Sequence, residues 1–117
     1  MTEITNSYVL DVVKASLANI LTKNPLYNHF MIGKTIQNLS ERFGQNYEGE
    51  YDDIALLYDG GPNGALVDWL EEEMIRYCWE VYGKDECDNE QVGGGPTCED
   101  NVDKDSTAKL YVVWKER

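Results

Sequence analysis

Residues 109–114, KLYVVW, alternate Leu110, Val112 and Trp114 with Tyr111 and Val113. All five are strand formers, and a strand satisfies its backbone only by pairing with another. A partner strand is favoured at 47–58, where YEGEYDD alternates acids with aromatics before the short apolar run IALLY, a run also able to extend as a helix. Between the two, Leu66, Trp69, Leu70, Met74, Tyr77, Cys78 and Val81 recur at helical spacing over 62–82, with Gly83 as the stop. Upstream, Leu10, Val13, Leu17, Ile20 and Leu21 predict a helix over 7–22, with Thr5 or Asn6 as N-cap. Asn24-Pro25 then reads as a cap and first helical position, and Ile32, Ile36, Leu39 and Phe43 extend a second helix to Gly44. The expected fold is α+β: a single compact domain of three main helices packed with a small antiparallel sheet. Residues 1–46 form a helical pair, 47–108 an acidic segment with the third helix and a loop, and 109–117 the C-terminal strand.

A 117-residue chain with 42% apolar residues has enough material for one core. No apolar run approaches the roughly 18 residues of a membrane span, and MTEITNSYVL lacks the basic and apolar regions of a secretory signal, so the expected location is cytoplasmic. Cys78, Cys87 and Cys98 do not make the dense, even framework of a secreted scaffold. Cys78 falls in an apolar helical stripe and reads as a buried thiol, whereas Cys87 and Cys98 flank a loop and are open to bridging.

Catalytic signatures are sparse, and no enzyme activity, metal or cofactor is expected. The glycine-rich stretches GGPNG (60–64) and VGGGPT (92–97) are followed by acids that would repel a phosphate, and read as turns. The sole histidine, His29, falls inside the expected second helix. EDNVDKDS (99–106) has the oxygen density of a calcium loop without its glycine and final glutamate.

Charge carries more information. Between Tyr47 and Ala108, 18 acids face only Arg76, Lys84 and Lys104, a formal −15 within a chain of −12, so both flanks are mildly basic. Such segregation destabilises a compact state by self-repulsion and suits either simple solubility or a surface used against a basic partner. On the third helix, Asp68, Glu71, Glu72, Glu73 and Glu80 are interleaved with the apolar stripe and are expected to face solvent. Glu48, Glu50, Asp52, Asp53 and Asp59 precede it. Asp85, Glu86, Asp88 and Glu90 follow it, with Glu99, Asp100, Asp103 and Asp105 beyond. Carboxylates one helical turn apart are about 5–6 Å apart at Cβ, comparable to phosphate spacing along a nucleic-acid strand.

With its length and with acid runs such as DWLEEE (68–73) and YGKDECDNE (82–90), the chain resembles the DNA-mimic proteins, a class of small acidic proteins of unrelated folds. It is similar to the Neisseria mimic that engages the histone-like protein HU. The resemblance implies a monomer whose carboxylates replace phosphates in the groove of a basic DNA-binding protein, HU foremost, competing with DNA, while the net charge of −12 itself argues against direct binding to nucleic acid or membrane. The mildly basic first 46 residues imply that one face only plays this part. The alternative is an immunity or anti-defence protein blocking the basic cleft of one nuclease, anchored by aromatics such as Trp69, Trp79 or Tyr82.

Overall fold

In the computed structural model, which describes residues 3–93 and 96–116, the chain runs α1 (Glu3–Lys23), β1 (His29–Thr35), α2 (Leu39–Asn46), β2 (Asp53–Gly61), α3 (Gly64–Val81), α4 (Cys98–Asn101) and β3 (Ala108–Lys115). The fold is α+β. β3 is the central strand, antiparallel to β1 on one side and to β2 on the other. Its interior is buried on both faces, which is why YVVW reads as continuously apolar.

On one face, Phe30, Ile32, Leu57, Leu110, Val112 and Trp114 pack against Val13, Leu17 and Leu21 of α1 and Leu66, Val67, Leu70, Met74, Ile75 and Cys78 of α3. The other face carries a smaller cluster of Tyr47, Tyr111 and Val113, roofed by Leu39 and Phe43 of α2 with Met31, Tyr51 and Ile54. Tyr111 reaches across Gly33, where a Cβ would stand 2.4 Å from the phenol. β2 forms one edge of the sheet, and its register with β3 shifts at Leu56/Tyr58 and Asp59/Gly61. Such irregularities keep an edge from pairing with a second chain.

The expected helical pair over 1–46 is replaced by helix, strand and short helix. The Ile32–Ile36–Leu39–Phe43 spacing suits a helix, but Phe30 and Ile32 also alternate with Met31 and Gly33, and seven register pairs with β3 decide in favour of the strand. His29 therefore opens a strand. Asn24 serves the preceding helix, its Nδ2 donating to Ile20 O at 2.8 Å. Asn38 caps α2 through Ser40 N, and that helix passes Gly44 to end at Asn46. α1 begins at Glu3, so Thr5 and Asn6 lie inside it. β2 starts at Asp53, six residues later than expected. The third helix lies where its stripe predicted, with Asn63 accepting from Leu66 N. Over 84–93 and 96–107 the chain is largely loop, with the short α4 at Cys98–Asn101. All three cysteines are free and buried. Among the described residues, no helix is long and apolar enough to cross a membrane.

Candidate docking surface and groove

The acids divide by what surrounds them. Asp68 and Glu71, one turn apart on α3, project toward β1 rather than into solvent, correcting the sequence reading. Lys34 shares the sheet face of Phe30 and Ile32 and places Nζ 3.1 Å from Asp68 Oδ1 and 3.4 Å from Glu71 Oε1. Asp68 also accepts Cys98 N at 2.8 Å and Glu99 N at 3.0 Å, closing the first turn of α4 onto α3. Burial opposes ionisation of Asp68, but those two N–H groups and Lys34 outweigh it and hold the carboxyl below its ordinary value. Glu71 is only 9% exposed; burial pushes its carboxyl up, against the pull of Lys34. Lys34 is itself raised, since its two carboxylates outweigh a burial that would lower it.

The remaining candidates lie outside the core. Glu48 and Glu50 sit in the turn before β2, and Asp52 accepts Glu116 N at 2.7 Å across the end of the sheet. Asp53 accepts its neighbour Ile54 N. That end is where β1 begins and β3 ends, and the 85–90 segment arrives beside it. Phe30 N donates to Glu86 O, Asp88 N donates to Phe30 O, and the side chain of Asn89 bonds both N and O of Ile32. Tyr51 Oη donates to Asp88 Oδ2 at 2.8 Å, tying the 48–53 acids to the 85–90 acids. Tyr27 Oη donates to Glu86 Oε1 at 2.6 Å. Burial, reinforced by those carboxylates, pushes both phenols well above the tyrosine range. His29 Nδ1 lies 3.2 Å from Asp88 Oδ1 without hydrogen-bond geometry.

Beyond that segment, Gly93 lies against Glu72, and Cys98 meets Asp68 at the start of α4 with its acids. Glu48, Glu50, Glu72, Glu80, Asp85 and Glu90 have no side-chain hydrogen bond or ion pair among the described residues, and Glu73 pairs with exposed Arg76 at 3.0 Å. Asp59 stands apart near the far end of β2, opposite Lys109, capping Gly61 N. Asp103 is spent on its own turn, accepting Asp105 N and the Ser106 hydroxyl.

Between β1 and residues 88–93 and 96 lies an open groove of about 720 Å³. Its lining includes Lys34, Arg42, Lys115, Tyr47, Tyr51 and Tyr111 together with Glu50, Glu71, Asp88 and Glu90. No local pattern in the sequence marks these bases and tyrosines, because strand pairing and the Gly33–Tyr111 crossing bring them together from β1, α2 and β3. The one local signal was Lys34 within an otherwise apolar stretch. Trp79 Nε1 donates to Asn89 O and its ring carries Lys84, Tyr82 meets Phe30 edge-on, and Trp69 packs on the core. Comparison with known proteins found no matching family model, no similar curated protein and no similar solved structure.

Proposed function

We propose that the chain is a noncatalytic cytoplasmic DNA mimic that occupies the nucleic-acid site of a basic DNA-binding protein, with a histone-like protein of the HU kind as the favoured partner. The observation that carries this reading is the juxtaposition of the 48–53 and 85–90 acids through Tyr51 and Asp88 at one end of the sheet, continued by Glu72. Carboxylates without internal partners keep their charge available to a basic groove, which gains Coulomb energy as it would on DNA while cations held by the acidic face are released. The nuclease-inhibitor alternative needs free aromatic anchors, and Trp69, Trp79 and Tyr82 are engaged within the fold.

The test is displacement of labelled DNA from HU by the purified chain. Displacement by the wild type, lost when Glu48, Glu50, Asp85 and Glu90 are all converted to their amides, supports the reading. Failure to displace DNA at any ratio, or displacement unchanged in the amide variant, refutes it.

A further inference from the structure

Among the described residues, neither Arg42 nor Lys115 has a carboxylate within 4.0 Å, although both line the groove. Arg42 Nε instead donates to Tyr111 Oη at 3.2 Å, and Tyr111 and Tyr47 hydroxyls lie 2.5 Å apart. One of the two hydroxyl protons is consumed between them. The other has no acceptor among the described residues, and burial keeps Tyr111 protonated by pushing it above the tyrosine range. A half-buried guanidinium beside a surplus hydroxyl proton is a cluster of donors in need of an oxyanion, and the fork of Arg matches a carboxylate. Toward the rim, Glu50 and Glu90 line the same groove with no internal partner. A simple anion would be repelled there, while a ligand with cationic groups would be held.

We infer that the groove binds a basic α-amino acid of the lysine or arginine type. Its α-carboxylate is received by Arg42 and the Tyr47–Tyr111 hydroxyl pair, and its ammonium or guanidinium groups by Glu50 and Glu90. The 720 Å³ volume falls in the range of small-molecule sites, and the negative field of the molecule favours a ligand of net positive charge.

Titration of the full chain with L-lysine, cadaverine and glutarate, followed by calorimetry and amide chemical shifts, tests this. Lysine is expected to perturb Gly33, Tyr47 and Tyr111, with cadaverine, lacking the carboxylate, and glutarate, lacking the amines, each at least about tenfold weaker. Arg42→Gln should weaken lysine about tenfold and leave cadaverine unchanged. Arg42→Lys, which keeps the charge but not the fork, should fall between and serves as the readout if the glutamine variant does not fold. Glu50→Gln with Glu90→Gln should weaken lysine and cadaverine but not glutarate. Cadaverine binding as tightly as lysine, unaltered lysine binding in both Arg42 variants, or no groove shifts with lysine up to about 10 mM would overturn the inference.

Discussion

The Asp68–Glu71 pair and the acids at 48–53 and 85–90 share a chemistry and differ in setting. The first pair sits between α3 and β1, bridged by the single ammonium of Lys34, with Asp68 supplying acceptors to the start of α4. The second set lies on turns and loop, several members without any internal partner. Acids of the first kind hold the fold together; acids of the second kind leave their charge for use elsewhere. A tally of acidic residues in the sequence cannot separate the two, because the deciding partner, Lys34, lies 34 positions away from Asp68 on a different element.

The largest effect should come from removing the shared cation. Lys34→Met leaves two carboxylates facing each other in a nearly closed site and should cost about 3 kcal/mol, roughly 10 °C in Tm, by thermal melting followed by circular dichroism. An unchanged Tm would erase the distinction between the two acid populations. Gly33→Ala comes next. The added methyl meets the Tyr111 phenol and should cost about 1–3 kcal/mol in urea unfolding, with perturbed Tyr47 and Tyr111 resonances.

Acid titration sharpens the contrast within the inner pair. Asp68 is held below its ordinary pKa, so its contribution is present above that ordinary value and lost as pH falls through the folded one. Glu71 is raised, so its sign is opposite: its contribution is complete below 4.5 and lost as pH rises through the raised value. Asp68→Asn should therefore flatten the acid-side loss of stability, and Glu71→Gln should remove the opposing slope, in urea midpoints measured between about pH 3 and 7. The smallest effect belongs to the outer acids. Amides at Glu48, Glu50, Asp85 and Glu90 should change stability by less than about 0.5 kcal/mol, the usual scale for exposed positions.

Much of the fold was legible where local signals and tertiary demand agree. α3 carries a full apolar stripe and an asparagine cap, and β3 is an apolar run that the sheet buries on both faces. The 24–43 segment misled because its apolar residues satisfy two periods at once. The choice between them lay in β3, about 80 residues downstream, which needed a neighbour on each side. Gly33 was a clue of the same kind: poor for a helix, but required beneath Tyr111. Of the site, the acidic segment was legible as composition, whereas the inward turn of Asp68 and Glu71 and the assembly of the groove rest on contacts no local pattern encodes.

If outward carboxylates stand in for a phosphate backbone, complex formation with HU must depend on salt as DNA binding does. Affinity, measured by fluorescence anisotropy, is expected to fall steeply between about 50 and 200 mM salt, with a slope that shrinks in the four-amide variant. An affinity that stays level across that range, or a slope the amides leave untouched, would contradict it.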